Sequence, residues 1–440
     1  MNDFSPEYVK FFRQSSPYIH AHHGKTFVIT LGGEALAHEN LTNIINDIAL
    51  LSSLGVRMVL VYGARPQIES RLKEKGLKSA YYQNRRITDK QSLECVMDAV
   101  GNLRALIESL LSSSLVNSPM QGASIRVVSG NFVTAKPLGV LDGKDFQHTG
   151  EVRRIDDKAI HQLLDNNYIV LLPCLGLSPT GEVFNIEVEE LATHTAIHLK
   201  AEKLILFGRH GGITSEDGQL ISQLSPATAK QYLDKLGQKD DQLHLARLLS
   251  SSINACLGGV ERAQMVNFQE DGSLLLELFT RDGRGTMVSH DRYEEIRTAT
   301  IEDVTGILEL IKPMEKAGVL RRRSRKELER EISLFRVIDL DGTIIGCAAI
   351  HPFSGEKTAE LACLVVHPEY RRNQRGDSLL EAIVEQAKQQ KFEQVFVLTT
   401  QTIHWFMERG FKEVDAKALP PEKRRQYNVK RQSKILALAI

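Results

Sequence analysis

The sequence has little of what marks secreted or membrane proteins. Five cysteines are scattered among 440 residues, and no C-x-x-C pair occurs: Cys95, Cys174, Cys256, Cys347 and Cys363. Isolated cysteines of this kind are typical of packing thiols in a reducing compartment. No apolar run approaches the roughly 18 residues of a membrane span, and residues 1–25 lack the apolar core of a signal peptide. We therefore expect a cytoplasmic protein without a membrane partner.

The chain also has no excess of charge. Lysine and arginine number 55, aspartate and glutamate number 55, and the pI is near 7.2. We therefore expect no bulk attraction to nucleic acid. His20, His22 and His23 have no carboxylate or cysteine companions, so we expect a solvated turn there and no metal site. A hydrophobic content of 42% over this length suffices for two or three cores.

The most informative stretch covers residues 360–390. Its first seven residues, ELACLVV, are apolar and rich in β-branched side chains, which predicts a buried strand that ends at His367-Pro368. Arginines crowd the following turn, RRNQRG, and from residue 378 the apolar positions follow the period of a helix. Free N–H groups and the positive end of the helix dipole meet at such a turn. The stretch therefore predicts a cradle for a dianion.

This stretch resembles the acetyl-CoA site of the GNAT acetyltransferases, whose R-x-x-G-x-G/A loop holds the CoA pyrophosphate. Gln374 replaces the first glycine of that pattern. Flanking segments also resemble the family, EEIRTATIED at 294–303 and WFMERGF at 405–411. The resemblance implies a GNAT α/β domain over residues 291–440 and acetyl-CoA as co-substrate. Its ligands would be Cys363, Leu364, Val365, Val366, Arg371, Arg372, Gln374, Arg375, Gly376 and Asp377.

Residues 25–290 repeat a strand–turn–helix pattern. Strands are predicted at 26–31, 56–62, 125–128, 169–172 and 203–207, and the segments 271–279 and 286–288 complete the domain. A helix after Gly32-Gly33 should bury Leu41, Ile44, Ile45, Ile48 and Leu51. Repeated units of this kind predict a doubly wound, parallel-rich sheet.

The motifs of this part resemble the amino-acid kinase family, above all N-acetylglutamate kinase. They are TLGG at 30–33, GARPQI at 63–68, NRRITD at 84–89 and AEKLI at 201–205. Three departures concern the chemistry. Thr30 replaces a lysine, SGNF at 129–132 replaces a G-K-D element, and NIEVE at 185–189 replaces N-x-N-A-D. Phosphoryl transfer depends on positioning and charge neutralisation, so we expect a catalytically dead kinase domain over residues 1–290.

A kinase-like domain followed by a GNAT domain resembles the bacterial N-acetylglutamate synthase family. The resemblance implies acetyl transfer from acetyl-CoA to the α-amino group of L-glutamate, the first step of arginine biosynthesis, with no tightly bound cofactor. Two other classes are weighed against it: an active kinase with an acetyl-CoA sensor, and a non-catalytic arginine-sensing partner. The missing lysine at Thr30 argues against the first. Intact Glu360, Arg323 and Arg431 argue against the second.

Direct acetyl transfer needs a base, because an α-amino group with a pKa near 8 is mostly protonated at neutral pH. Glu360 resembles the family's general base. The tyrosine that many GNAT enzymes use as general acid is Phe406 here, and the synthase resemblance assigns that role to Thr399, with Thr400 and Thr402 as alternatives. Arg323 and Arg431 match the family's glutamate ligands, a role that suits the bidentate guanidinium. An exposed strand-end carboxylate and a solvated helix start are the simpler readings of Glu360 and Arg323.

The family resemblance also implies regulation. Residues 3–20 form an aromatic helical arm, and so much apolar surface needs a partner, either the body of the protein or another subunit. Tyr18, Lys203 and Glu277 match an arginine pocket, in which Glu277 could pair with the guanidinium. We therefore expect feedback inhibition by arginine and a ring-like homo-oligomer, a hexamer.

Overall fold

The computed structural model describes residues 6–113, 121–122, 124–215, 217–237, 240–280, 283–289, 294–340, 342–353, 355–371, 375–427 and 433–440. The chain divides into two compact units, Met1–Asp291 and Arg292–Ile440. Each unit has hydrophobic cores of its own.

Helices and strands alternate along most of the first unit. Its helices are α1 Pro6–His22, α2 Gly33–Leu36, α3 Leu41–Ser53, α4 Arg65–Glu74, α5 Lys90–Leu111, α6 Asp157–Asp165, α7 Val188–His198, α8 Pro226–Lys235, α9 Asp240–Leu257 and α10 Ser273–Phe279. Its strands are β1 Thr26–Leu31, β2 Arg57–Tyr62, β3 Ala80–Tyr82, β4 Arg85–Ile87, β5 Val127–Val128, β6 Val133–Pro137, β7 Val140–Leu141, β8 Lys144–Asp145, β9 Gly150–Ile155, β10 Ile169–Pro173, β11 Leu175–Leu177, β12 Val183–Asn185, β13 Lys203–Gly208, β14 Gln223–Leu224, β15 Arg262–Asn267 and β16 Thr286–Ser289.

The largest sheet of this unit has the order β14-β16-β15-β13-β1-β2-β10-β5. Every neighbouring pair except β15–β16 is parallel. Strand β1 is buried on both faces, as its continuous run of apolar and β-branched residues requires. Phe27 and Ile29 face a core shared with α3 and α5, whereas Val28 faces a core shared with α7 and α9. The parallel-rich, doubly wound sheet is therefore confirmed.

Two turns meet at the carboxyl ends of β1 and β2. A Cβ on Gly33 would lie 2.5 Å from Gln67 Oε1 and 2.7 Å from Pro66 Cδ, so only glycine fits there. The Gln67 amide in turn donates to the Gly33 carbonyl at 2.6 Å. This close approach joins the two turns that the kinase motifs define.

The second unit is built on one sheet flanked by helices. Its helices are α11 Val304–Lys316, α12 Arg325–Glu331, α13 Arg375–Gln389, α14 Ile403–Met407 and α15 Pro421–Gln426, with short 3-10 helices at Ile301–Asp303, Ile332–Leu334, Pro368–Tyr370 and Ala416–Ala418. Its strands are β17 Glu294–Thr298, β18 Phe335–Leu340, β19 Thr343–Phe353, β20 Thr358–Val366, β21 Gln394–Thr399, β22 Lys412–Glu413 and β23 Lys434–Ala439. The sheet order is β17-β18-β19-β20-β21-β23-β22.

Strands β20 and β21 form a parallel pair inside this otherwise antiparallel sheet. Their register joins Thr358 to Gln394 and ends where Leu361 meets Val397. Both strands continue beyond that point without pairing to each other. Their separation makes room for a site between two strand ends.

Candidate active site

A cavity of about 1240 Å³ opens where β20 and β21 separate. Ten of the residues predicted for catalysis, substrate or cofactor lie on its wall: Arg323, Glu360, Cys363, Leu364, Val365, Val366, Arg371, Gly376, Asp377 and Thr399. Arg372, Gln374 and Arg431 lie outside the described residues. The fold thus brings most of the predicted site together.

Glu360 lies on β20, buried between its neighbours on the two adjacent strands. Its register partners are His351 on β19 and Phe396 on β21. The Lys423 ammonium lies 2.6 Å from Glu360 Oε2, and their side chains are only 23% and 11% exposed. A direct pair of this kind compensates the cost of removing a carboxylate from water. Glu360 is therefore a buried, ion-paired carboxylate at the wall of the cavity and not an exposed strand-end residue.

His351 and Lys423 were missed by sequence reasoning. Burial lowers the pKa of the His351 imidazole, so the ring is neutral at neutral pH, although the nearby Glu360 opposes that shift. His351 is recognisable only through its cross-strand register with Glu360. Lys423 belongs to the charged run PEKRRQ, which in sequence looks like any solvated helix. No sequence signal distinguishes it from its neighbours.

A β-bulge shapes the cofactor side of the cavity. Cys363 and Leu364 together oppose Ala348, and Cys363 has a left-handed backbone with φ of 56°. Such a conformation costs a non-glycine residue about 1–3 kcal/mol, and bulges of this kind commonly re-aim backbone groups beside active sites.

The Cys363 side chain is buried, and the Cys347 thiol donates to its carbonyl at 3.5 Å. The hydrogen bond between the side chains of Cys347 and Cys363 lowers the pKa of the Cys363 thiol and raises the pKa of the Cys347 thiol. The burial agrees with the expected packing role of Cys363.

The start of α13 supplies the turn predicted to hold a dianion. Arg371 is exposed at the cavity, whereas Arg375 is buried, with its Nη1 donating to the Tyr370 carbonyl at 3.3 Å. The buried Arg375 guanidinium thus bonds within the protein, and the role of Arg375 as a cofactor ligand stays a prediction. Asp377 pairs with Arg409, whose guanidinium lies 4.0 Å from the centre of the Trp405 ring. Arg409 thereby connects Asp377 on α13 to Trp405 on α14.

Thr399 ends β21 at the cavity. Its hydroxyl oxygen accepts the backbone N–H of Thr402 at 3.2 Å and that of Gln401 at 3.4 Å. The hydroxyls of Thr399 and Thr402 lie 3.0 Å apart. Because the Thr399 oxygen already accepts two N–H groups, the Thr399 proton is the one available for the bond between the two hydroxyls. Thr399 stays the predicted proton donor, with Thr400 and Thr402 on the same cavity as alternatives.

Arg323 differs from the arginines around it. It is half-buried at the cavity, whereas Arg321, Arg322 and Arg325 are exposed. Ser324 caps α12 through a reciprocal bond with Glu327, and the Arg323 N–H donates to Glu315 at 2.8 Å. The cap therefore fixes the backbone from which Arg323 points. Its charge also contributes to the lowered pKa of His351.

In the first unit Thr30, which stands where the kinases have a lysine, forms hydrogen bonds within the sheet. The Thr30 hydroxyl accepts the Phe207 N–H at 3.2 Å and donates to the Ile205 carbonyl at 3.4 Å. The side chain is buried, so it ties β1 to β13 and offers nothing to a phosphate.

The residues predicted for arginine border helix α1. His22 on α1 donates from Nε2 to the Leu278 carbonyl at 2.8 Å, and its ring lies 6.3 Å from Tyr18 and 5.3 Å from Phe27. Burial lowers the pKa of His22 to about 4. Lys203 Nζ lies 5.9 Å from the centre of the same Phe27 ring. Tyr18 thus lies near His22 and Lys203 near Phe27, the two rings of one aromatic pair.

Glu277 has a structural role that sequence reasoning did not foresee. Its Oε2 accepts the N–H groups of Arg284 and Gly285 at 2.7 and 2.8 Å, and its Oε1 accepts from Gln264 at 2.9 Å. A carboxylate offers about four lone-pair sites, so this anchoring leaves little capacity for a ligand. The pairing of Glu277 with a guanidinium stays a prediction.

Fold and cavity together define a GNAT-type acetyltransferase joined to an amino-acid-kinase fold. Residues 25–267 match the amino acid kinase family, and residues 304–411 match the acetyltransferase (GNAT) family. An amino-acid acetyltransferase of Pseudomonas syringae pv. tomato is 52% identical over 99% of this chain and 100% of its own length. The chain therefore belongs to the amino-acid acetyltransferase family.

Solved structures agree with that assignment. N-acetylglutamate synthase from Neisseria gonorrhoeae, complexed with coenzyme A and L-arginine, is 36% identical, with a TM-score of 0.87 over 98% of this chain and 99% of its own. The same enzyme with coenzyme A and N-acetyl-glutamate is 37% identical, with a TM-score of 0.63 over 98% and 99%. Among the residues described here, no group of three or more His, Cys, Asp or Glu could hold a metal ion. No helix within those residues is long and apolar enough to cross a membrane.

Proposed function

We propose that this chain transfers the acetyl group of acetyl-CoA to the α-amino group of L-glutamate. The observation that carries the proposal is the position of Glu360, a buried carboxylate on the wall of the cavity between β20 and β21. A base at that point faces the strand edge along which a thioester would lie. The related synthase binds coenzyme A and N-acetyl-glutamate, which supports the same pair of ligands here.

The reaction follows from these groups. Glu360 takes a proton from the substrate ammonium, and the freed amine attacks the thioester carbonyl. Backbone N–H groups of residues 363–366 stabilise the oxyanion, and the intermediate collapses with cleavage of the C–S bond. The nitrogen of the intermediate still carries one proton more than the amide product, and that proton replaces the one that Thr399 donates to the departing CoA thiolate. A weak acid is adequate because the thiol has a pKa near 8.5.

Lys423 shares Glu360 with the substrate in the first step. Its ammonium contacts Oε2, and a carboxylate offers about four lone-pair sites, so Oε1 can accept the substrate ammonium while the ion pair persists. Lys423 then lies beside the bound substrate as one cation for its carboxylates. Arg323 on the same wall provides a second cation for the dicarboxylate, and we assign the same role to Arg431.

We assign the first unit to arginine-dependent inhibition and to assembly of a homo-oligomer in the cytoplasm. Thr30 lacks the charge that phosphoryl transfer requires, and the aromatic arm α1 is attached to α10 through His22 and Ser15. Inhibition requires two global states with different affinity for arginine. Arginine should therefore inhibit the full chain, and Glu277→Ala should remove that inhibition. Inhibition that persists in Glu277→Ala would place the effector elsewhere.

The activity itself is tested by thiol release from acetyl-CoA with a panel of L-amino acids, with and without arginine. We expect release with glutamate, formation of N-acetylglutamate by mass spectrometry, and suppression by arginine. Equal rates with glutamate, aspartate and glutamine would contradict the dicarboxylate site.

A further inference from the structure

A second cavity, of about 640 Å³, lies in the first unit and serves neither acetyl transfer nor the predicted arginine pocket. Its walls come from the β3–β4 turn and from α7 and α9. The polar side includes Asn84, Arg85, Glu187, Glu190 and Arg247. Its apolar side consists of aliphatic residues: Ile197, Leu233, Leu243 and Ala246.

The acidic and basic groups that line this cavity are near one another without direct contact, although Arg85 Nη1 also donates to Glu151, outside the lining, at 3.3 Å. Arg85 Nε lies 4.0 Å from Glu187 Oε2, and Arg85 Nη2 lies 3.8 Å from Glu190 Oε2. Arg247 Nη1 lies 3.9 Å from Glu187 Oε1. These separations exceed the 2.7–3.2 Å of a hydrogen bond, so the pairs balance charge and leave hydrogen-bonding capacity unused.

Two buried atoms show that unused capacity directly. Glu190 Oε2 and Arg247 Nε have no hydrogen-bond partner among the described residues. An acceptor and a donor left unsatisfied in one cavity each cost about 1–3 kcal/mol. Burial also raises the pKa of Glu187 and of Glu190, since their ionised forms are poorly solvated. A ligand that offers an N–H to the carboxylates and an oxygen to Arg247 would satisfy both atoms.

The charge on the walls narrows the class of ligand. Three lining carboxylates, Glu187, Glu189 and Glu190, face two lining guanidiniums, Arg85 and Arg247. The cavity therefore carries one net negative charge, because burial lowers the pKa of the lining His194 and keeps it neutral at neutral pH. A matching ligand has one net positive charge, an oxygen anion for Arg247 and an aliphatic stem for the apolar side.

We propose that this cavity binds a basic α-amino acid of the lysine–ornithine type. The side-chain ammonium group lies against Glu187 and Glu190, the carboxylate accepts from Arg247 Nε, and the methylene stem packs on Ile197 and Leu243. The site is independent of acetyl transfer, which takes place in the other unit.

Calorimetric titration of the full chain with L-lysine and L-ornithine tests the proposal. L-norleucine lacks the second ammonium and cadaverine lacks the carboxylate, so we expect both to bind at least 10-fold more weakly, the loss of one charged hydrogen bond. Absence of binding by lysine and ornithine up to 10 mM would overturn the proposal, as would equal binding of norleucine.

Variants locate the site. Glu190→Gln keeps the acceptor that bonds the Val152 N–H at 3.1 Å and removes the charge, so lysine affinity should fall at least 10-fold. Ser250→Phe fills the cavity while every charged residue of its lining is kept, and it should abolish binding. Glu182→Gln, an exposed control, and Glu277→Ala, in the predicted arginine pocket, should bind lysine as the wild type does. Binding unchanged in Glu190→Gln and Ser250→Phe, or lost in Glu277→Ala, would contradict the location. Circular dichroism verifies that each variant is folded.

Discussion

The cavities of the two units place their charges in different ways. In the second unit Glu360 is in direct contact with Lys423 at 2.6 Å, beside a cavity that a strand separation opens. In the first unit the carboxylates of Glu187 and Glu190 stay 3.8 Å or more from their nearest guanidiniums, and Thr30 occupies the position of a catalytic lysine. The apolar runs of β1 and β2 preserve the kinase sheet regardless. The kinase-like fold therefore keeps its core although residues at a few polar positions differ from the kinase motifs, and the loss of phosphoryl transfer stays a prediction.

The largest expected effect concerns Glu360. Glu360→Gln should reduce turnover by about 100-fold or more, the scale of a general base, while acetyl-CoA still binds. Steady-state kinetics and a binding titration measure the two quantities. Glu356→Gln, an exposed carboxylate just before β20, is the matched control and should behave as the wild type does. Turnover near that of the wild type in Glu360→Gln would refute the base assignment.

Arg323 should govern the affinity for glutamate. Arg323→Ala removes one charged hydrogen bond of about 1.5–3 kcal/mol, so the KM for glutamate should rise about 10- to 100-fold. The KM for acetyl-CoA should change little. Arg322→Ala, an exposed neighbour, provides the comparison. A parallel rise of both KM values would indicate a folding defect and remove Arg323 from the glutamate site.

The Glu360–Lys423 pair should also contribute to stability. Lys423→Met leaves a buried carboxylate without its cation, and we expect a loss of about 1–3 kcal/mol, less than for a fully buried pair because both groups keep some exposure. Urea unfolding of the single variants and of Glu360→Gln/Lys423→Met forms a double-mutant cycle. The double variant should recover much of the loss, and strictly additive losses would show that the two groups do not interact.

The last expected effect is a pH dependence at His22. The folded pKa of about 4 lies below the ordinary value of 6.5, so the neutral ring stabilises the fold above pH 6.5 and that stability is lost as the pH falls from 6.5 through 4. The difference corresponds to at most about 3 kcal/mol. Amide exchange of α1 should lose protection over this range, and His22→Gln should remove much of that dependence. Protection that is independent of pH in the wild type would contradict the burial of a neutral imidazole.

Much of this molecule could be predicted from its sequence. Strand β1 has the predicted bounds 26–31, because a continuous apolar run leaves one solution in a parallel sheet. The segment predicted as 125–128 forms only the short β5, and the helix predicted from residue 378 begins at Arg375, inside the turn. Strands β11 and β12 have three residues each, which is too short for a periodic pattern to be recognised.

The candidate active site likewise has residues that the sequence predicts and residues that it does not. Glu360, Thr399 and Arg323 belong to recognisable motifs, and the structure places all three on one cavity. Lys423 and His351 are recognised only from tertiary contacts. Lys423 on α15 reaches Glu360 on β20, and His351 is paired with Glu360 by the register of β19 and β20, which the local sequence does not encode. Glu277 is the opposite case, because the sequence assigned it a ligand role and the structure adds a structural one. It accepts the N–H groups of Arg284 and Gly285 and so holds a turn that no sequence motif predicts.

The central claim is that one unit performs acetyl transfer and the other performs no phosphoryl transfer. The most direct measurement incubates one preparation of the full chain with ¹³C-acetyl-CoA and L-glutamate, and in parallel with ATP, magnesium and N-acetylglutamate. We predict that NMR detects labelled N-acetylglutamate in the first mixture and that no ADP forms in the second. Formation of ADP, or labelled acetyl-CoA left unconsumed beside glutamate, would contradict the account.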